Sequence, residues 1–369
     1  MNKNLIKNGA IALGCLIVVL SLLYAYRINT RNAVEVLAQN KKLINVLVMG
    51  SNVFHDNKHR FFAVLSVNPE NNRTGITLLP PSLKIPLDRG GKKSVKLDEI
   101  DIDSFSKISR TLEAELKINV PFWVEIYATD VERLVDTLEG VDIFVLDQVR
   151  KIDGVRPGLN YFDGAKAVQY INSVEGGSVY RTYDRIQDIL LSLYYNRERY
   201  RPLVSLKFIS HLLTKIRTNM LDKELFSLSR IIFDEGDLQC IRAPGKLEDD
   251  GFYVIDDVAT KIYEKEFLSS LVLGAAPDAT IRVKVLNGTN IPGLAKKMRN
   301  ALNREGVNVI EFGTSPYPFM DHTVIINQSG STGDVRKIAE LAGVTRVHHI
   351  VDSSQLSDAL IIIGKDYAK

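Results

Sequence analysis

Apolar and polar positions follow two rhythms along this chain, one of period two and one of period three to four, after an opening run that has neither. Residues 10–26 (AIALGCLIVVLSLLYAY) carry no charge, with Lys3 and Lys7 before them and Arg27 and Arg31 after. As a helix this stretch spans roughly 26 Å, enough for a thin hydrocarbon core, and it predicts an uncleaved transmembrane signal anchor. A cleaved signal peptide and lipidation at Cys15 are the rival readings. The run is long for a signal peptide and lacks a clean small-x-small site, and apolar residues continue past Cys15, where a lipoprotein's run should close. Basic residues on both flanks leave the orientation open, and the short N-terminal tail favours exporting the bulk of the chain.

The runs LINVLVMG (43–50), FFAVLSV (61–67) and TGITLLP (74–80) read as buried strands. Turn-rich NPENNR joins the last two, and Pro80-Pro81 closes the third because proline cannot donate to a ladder. PFWVEIY (121–127) predicts a strand and ATDVERLVDTLEG a helix: Val131, Leu134, Val135 and Leu138 recur at three and four, and Gly140 lies past the end. GVDIFV (140–145) is a strand, and DGAKAVQYI (163–171) a short helix capped by Asp163. From 181 to about 196, Ile186, Ile189, Leu190, Leu193 and Tyr194 share one helical face. LVSLKFISHLLTKI and KELFSLSRII continue the helical pattern, and turns follow at Asp249-Asp250-Gly251 and Ala275-Ala276-Pro277.

Beyond Pro277, TIRVKVLNG (280–288) alternates as a strand, and PGLAKKMRNALNREG is a helix with Leu294, Met298, Ala301 and Leu302 inward and Gly306 as its stop. Strands NVIEFG and HTVIINQ, helix DVRKIAELAG, and strands VHHIV and ALIIIG complete a β-α-β-β-α-β-β module. The expected class is α/β: an N-terminal transmembrane helix, a mixed α/β domain with a central sheet, then a small α/β domain. The expected divisions are tail and anchor 1–31, polar connector 32–42, first domain 43–265, linker 266–279 and second domain 280–369.

Composition narrows the function. At 369 residues, 45% hydrophobic and 25% charged, the chain has enough apolar residues for two packed domains. A net charge of +3 calls for no nucleic-acid partner. Cys15 and Cys240, the only cysteines, exclude a disulfide framework. No glycine-rich phosphate loop, dinucleotide fingerprint or nucleophile elbow occurs. His55 and His59 lie in a loop-like HDNKHR without metal-ligand spacing, and His348-His349, adjacent in a strand, read as a solvated pair on opposite faces.

VPFWVEIYATDVERLVDTLEGVDIFV (120–145) resembles the strand-helix-strand signature of the LytR-CpsA-Psr family of cell-envelope proteins, and GLNYFDGAKAVQYI (158–171) resembles a second family segment. NVLVMGSN, LSVNPENNRTGITLLPPSLKIP and VKLDEI occupy the places of its phosphate-pocket strands. Through VLNGTNIPGLAKKMRNAL and IIIGKDY, residues 280–367 resemble the family's LytR C-terminal domain. The resemblance implies transfer of glycopolymers from a polyprenyl-pyrophosphate carrier onto peptidoglycan, with cations facing the pyrophosphate, carboxylates holding Mg²⁺ and an apolar tunnel for the lipid.

At the family's site positions this sequence departs. Arg60 stands where the first metal aspartate is expected, Pro81 and Ser82 replace the arginine and aspartate of a Pro-Arg-Asp, and Asp184 stands in place of an arginine. Arg185 and Gln187 match the family's last arginine and glutamine, Lys96 matches its lysine, and Arg181 lies one turn before Arg185. The resemblance thus offers Lys96, Arg181, Arg185, Gln187 and Arg60 as pyrophosphate-binding candidates. It assigns no catalytic residue, no metal ligand and no cofactor, with Mg²⁺ only for an active enzyme. Losing one charge of this kind costs phosphoryl transfer about 10³-fold or more. The implied protein is a membrane-anchored, extracytoplasmic, degenerate member, retained as a non-catalytic binding or scaffold protein. It would cross the cytoplasmic membrane once, with a polyprenyl-linked glycan or peptidoglycan as partner. An active phosphotransferase is the alternative, and a transcriptional regulator a third class. Asn287-Gly288-Thr289 has two readings: backbone N–H groups for an anionic or sugar ligand, or a turn with Thr289 or Asn290 capping the helix that starts near Pro292.

Overall fold

Strands β1 (Ile44–Ser51), β2 (Phe61–Val67) and β3 (Thr74–Leu79) lie side by side and antiparallel, β2 and β3 being joined by the turn that Asn68 N–H closes on Arg73 O at 2.9 Å. The computed structural model describes residues 31–51, 61–88, 93–146, 152–174, 178–203, 205–213, 216–234, 236–273, 281–317, 320–352 and 354–368. A small antiparallel pair follows, β4 (Lys84–Pro86) with β5 (Ser94–Lys96). Helix α2 (Phe105–Leu116) then leads to β6 (Phe122–Tyr127), which pairs with β1 in parallel, as a helical crossover permits. A short helix α1 (Ala33–Gln39) precedes β1, opened by a capping box at Asn32 and Glu35.

The helix foreseen after β6 is α3 (Ala128–Thr137), and the chain leaves it through two left-handed residues, Glu139 and Gly140. β7 (Val141–Val145) pairs with β8 (Gly158–Phe162), and α4 (Gly164–Asn172) begins where Asp163 accepts the Lys166 N–H at 2.8 Å. α5 (Val179–Tyr195), α6 (Leu206–Leu213), β9 (Arg217–Thr218) and α7 (Asp222–Ile232) follow. The stretch that periodicity left unassigned holds β10 (Leu238–Arg242) and the hairpin β11 (Gly245–Leu247)–β12 (Tyr253–Ile255). It ends in a helix α8 that runs from Asp257–Ile262 through a π-helical stretch Tyr263–Leu268 to Ser269–Leu273.

The main sheet has the order β10-β3-β2-β1-β6-β9. Both faces are covered, which explains why its strands are apolar throughout. On one face Leu47, Met49, Phe62, Val64 and Leu79 meet Ile108 and Leu112 of α2 and Phe267 and Leu271 of α8. On the other, Ala63 and Leu78 meet Tyr183 and Leu191 of α5, and Val46 meets Val34 of α1 and Leu228 of α7.

The second domain is built from β13 (Arg282–Asn287), α9 (Leu294–Arg304), β14 (Asn308–Thr314), β15 (Val324–Asn327), α10 (Thr332–Ala342), β16 (Val347–His349) and β17 (Ala359–Ile363). Its sheet has the order β14-β13-β17-β15-β16, with β15 antiparallel to β17. Leu294 and Met298 of α9 and Val335 and Ile338 of α10 close one face over Val283, Val285, Ile325 and Ile361. The other face, with Leu286, Val324, Ile326, Leu360 and Ile362, takes Phe144 of the first domain.

Three expectations are corrected. The transmembrane helix expected over residues 10–26 lies outside the described residues, and among the described residues no helix is long and apolar enough to cross a membrane. Among the described residues the fold class is two α/β domains, and the signal anchor, the single-pass membrane contact, the membrane-anchored function and the inner-membrane location that depended on a spanning helix are set aside. His348 and His349 do point to opposite faces, but they are not a solvated pair: His348 stacks on Phe144 with ring centroids 4.9 Å apart, and His349 is 2% exposed. α9 starts at Leu294 after Gly293, so neither Thr289 nor Asn290 caps it.

Candidate functional site

α5 carries most of the candidate residues, and its helical spacing sends them to different places. Arg185 Nη1 donates to the Tyr170 hydroxyl of α4, and the guanidinium lies over that ring, 4.5 Å from its centroid. Arg185 also faces Asp188, one turn on, at 3.8 Å. Asp188 is wholly buried. Its Oδ2 accepts from Tyr170 at 2.7 Å and its Oδ1 accepts the Val351 N–H of the second domain at 2.6 Å. Burial pushes its carboxyl up to about 7, against the opposing pull of the Tyr170 hydrogen bond and the Arg185 charge. Burial, reinforced by the Asp188 charge, likewise lifts the Tyr170 phenol well above its ordinary value.

Asp184 is buried and pairs with Arg242 of β10 at 3.3 Å, and that guanidinium rests 4.6 Å from the Tyr180 ring centroid. Gln187 is buried, donating to Tyr183 O at 3.3 Å. Arg181 is exposed; against the pull of burial, hydrogen bonds from Ser354 and Gln355 hold the Asp352 carboxyl below its usual range, with a smaller contribution from the Arg181 charge. Asp184, Gln187 and Arg242 line a cavity of about 250 Å³ together with Arg282, Gln328 and Asp358 of the second domain. Arg282 and Asp358 are themselves paired at 2.8 Å, so the cavity wall combines charges of both signs.

Lys96 lies away from α5. It sits on β5 directly opposite Lys84 of β4, and both ammonium groups lie over the Phe252 ring, at 5.9 and 5.5 Å from its centroid. Pro81 and Ser82 form a turn held by backbone bonds: Pro81 O accepts from Asp98 N–H at 3.0 Å and Ser82 O from Tyr253 N–H at 2.8 Å. Arg60 lies outside the described residues, as do His55 and His59. The loop Asn287-Gly288-Thr289 satisfies itself. Asn287 Oδ1 accepts from the Thr289 N–H and hydroxyl, Gly288 N–H donates to Ile363 O, and Thr289 Oγ1 accepts the Ile291 N–H. The Thr289 amide points into the turn and the Gly288 amide to β17, so neither is offered to a ligand, which supports the turn over the anion nest. No cluster of three or more metal-capable side chains occurs among the described residues.

Comparison with known proteins gives the frame for this geometry. Residues 280–367 match the family model described as LytR cell envelope-related transcriptional attenuator. Among solved structures, protein gbs0355 from Streptococcus agalactiae superposes with a TM-score of 0.51 at 16% identity, over 66% of this chain and 92% of that one. TagT bound to LI-WTA gives 0.50 at 17% identity, over 64% and 92%. Bacillus subtilis TagT gives 0.48 at 18% identity, over 63% and 91%. No curated protein sequence matches the chain. This is a LytR-CpsA-Psr fold followed by a LytR C-terminal domain.

In this LytR-CpsA-Psr fold, Asp184 and Gln187 share a cavity, Arg185 turns to Tyr170 and Asp188, Lys96 stands with Lys84, and Arg181 is exposed. Sequence reasoning missed Asp188, Tyr170, Arg242 and Lys84. Tyr170 and Asp188 carry no local signal, because a polar residue within a helix reads as solvent-facing until another domain covers it. Lys84 had a signal: KIP and SVK flank a Gly-Gly pair in the sequence, a hairpin pattern that sets the two lysines opposite one another once β4 and β5 pair.

Proposed function

We propose that this chain is a binding or scaffold protein of the cell envelope, built on a LytR-CpsA-Psr fold and lacking transferase activity. One observation carries the reading: the charges of α5 at Asp184, Arg185 and Asp188 are taken up within the protein, Arg181 alone of the α5 candidates being exposed. Arg185 is held by Asp188 and Tyr170, Asp184 by Arg242, and Asp188 by a backbone N–H of the LytR C-terminal domain. A pyrophosphate needs a surplus of cations with free N–H donors, and two arginines each matched by a carboxylate supply none. A wall of paired charges with serine and glutamine suits an uncharged, hydroxyl- and amide-bearing ligand, the chemistry of a peptidoglycan fragment.

The test is transfer of a lipid-linked glycopolymer to peptidoglycan with Mg²⁺ present. The expected result is no turnover above background, with peptidoglycan fragments still bound. Turnover that Arg185→Ala abolishes would sink the proposal.

The phosphotransferase reading draws support from Lys84 and Lys96. Like charges directly across a strand pair repel, and neither ammonium has an acid partner among the described residues. TagT, of similar fold, has been solved bound to LI-WTA. This reading predicts Mg²⁺-dependent binding of a polyprenyl phosphate, weakened at least tenfold, roughly, by Lys96→Ala. Titration calorimetry with and without metal decides it. The regulator reading, named in the domain family's description, gains nothing from a net charge of +3.

A further inference from the structure

The LytR C-terminal domain meets the free edge of the main sheet through loop 328–332, beside the Arg336–Asp237 ion pair at 3.0 Å. Cys240 N–H of β10 donates to Gly330 O at 3.0 Å, Leu238 N–H donates to Thr332 Oγ1 at 2.8 Å, and Gln239 bridges Ser331. Residues 328–332 therefore extend the first domain's sheet, and their shape depends on Asn327 at the end of β15. Asn327 is wholly buried, and its amide is fixed from both sides. Oδ1 accepts from the Ser329 N–H and hydroxyl at 3.2 and 3.1 Å, and Nδ2 donates to Ser331 O at 3.0 Å. The second Nδ2 hydrogen points to His349 Nδ1, 3.1 Å away.

This arrangement dictates the state of His349. With Nδ2 as donor, Nδ1 must be an unprotonated acceptor, and the ring proton sits on Nε2. Nε2 is buried with no hydrogen-bond partner, and the ring stands edge-on to Tyr195 of α5 at 5.2 Å. Protonating Nδ1 would set two donors against each other. Turning the Asn327 amide over would only move that conflict to Ser329, whose N–H would then face Nδ2. A charge on this ring would also lack a counter-ion, since the charged group acting on it is its neighbour His348, of the same sign.

We propose that His349 is a proton-sensitive pin: its protonation breaks the Asn327 contact, frees loop 328–332 and releases the LytR C-terminal domain from β10. Burial, then the His348 charge, holds the His349 imidazole down to about 3, against an ordinary 6.5. The docked form thus binds fewer protons than the released form between these values, so docking weakens as pH falls below about 6.5, by up to about tenfold per unit. Asp334 of α10, raised by burial, lies at the same contact, as does Arg336, which pairs with Asp237 at 3.0 Å and acts with Glu340 on Tyr195. His348, stacked on Phe144 and acted on by Asp142 and Arg346, is lowered to about 4 and adds to the same trend. Asp188 of α5, beside Asp184, Arg185 and Tyr170 and bonded to Val351 N–H, is raised to about 7 and opposes it. Both persist when His349 alone is changed, so a comparison with His349→Asn isolates the pin. The asparagine carboxamide oxygen stands near the place of Nδ1 and accepts the same bond.

Hydrogen–deuterium exchange of the full chain reads docking directly, because the Leu238 and Cys240 amides donate across the interface. After correction for intrinsic rates, lowering the pH from 7.5 to 5.0 is expected to raise exchange at 238–240 about thirtyfold more in the parent than in His349→Asn. Equal pH responses in the two proteins overturn the proposal. Should the variant fail to fold, imidazole titration by NMR on the unaltered chain decides. A His349 ring still neutral at pH 5 supports the pin, and an ordinary midpoint near 6.5 overturns it.

Discussion

Tyr183 shows how much one side chain of α5 secures. Its hydroxyl donates to Leu79 O at 2.7 Å and accepts the Phe62 N–H at 3.3 Å, tying the helix to two strands, and burial lifts its phenol far above the ordinary value. Tyr183→Phe removes both of these bonds between the helix and the sheet, and we expect a loss of about 1 kcal/mol in urea unfolding. A loss within error would mean that water replaces the hydroxyl. Gly75 is a second case. A Cβ there would come within 2.6 Å of the Leu271 and Phe267 side chains, so β3 and α8 approach closely only because this position is bare. Gly75→Ala is expected to cost about 1–3 kcal/mol through overpacking, read as a lower urea midpoint. In the sequence, Gly75 is one residue of an apolar run, and nothing local announces what lies above it.

At the scale of elements, α5 was legible in half its circumference. The apolar face from Ile186 to Tyr194 follows from period alone, yet Asp184, Gln187, Asp188 and Ser192 are buried as well. Their cover comes from α4, β10 and the LytR C-terminal domain, which no helical period records. Asp188→Ala should therefore behave as a core change. It strands the Val351 N–H, the Tyr170 hydroxyl and the Arg185 charge, and we expect a loss of about 3 kcal/mol by chemical denaturation, with Asp188→Asn retaining most of the stability. Equal effects of the two substitutions would show that the hydrogen bonds contribute little. α8 makes a related point at Phe267, which lies in the stretch expected as linker from its mixed pattern and is fully buried in the first core. Its π-helical turns displace the usual spacing, which is why a search at period 3.6 passes over it.

Across the whole molecule, the interface couples stability to pH with two opposite signs. His348 and His349, lowered to about 4 and about 3, bind protons more readily in the unfolded chain, so their contribution is lost as pH falls from about 6.5. Asp188, raised from 3.8 to about 7, binds its proton more readily when folded, so its contribution is lost as pH rises across that window. Two histidines outweigh one aspartate. The melting temperature is expected to fall between pH 7 and 5, and to fall further in Asp188→Asn, which removes the opposing slope. A smaller fall in that variant, by scanning calorimetry, would contradict the assignment.

Most of the strands and helices were legible in the sequence itself, because hydrophobic period, proline breaks and caps such as Asp163 act within a few residues. So was the lack of a positive charge at Pro81, Ser82 and Asp184, since side-chain charge is read directly from the residues. Only the tertiary structure decided which polar groups are buried and what they face. Asp188 meets a backbone amide 163 residues later, and His349, kept neutral chiefly by burial, meets Asn327, 22 residues before it. Desolvation depends on everything packed around an atom, and that enclosure comes from segments far apart along the chain, so no local pattern encodes it.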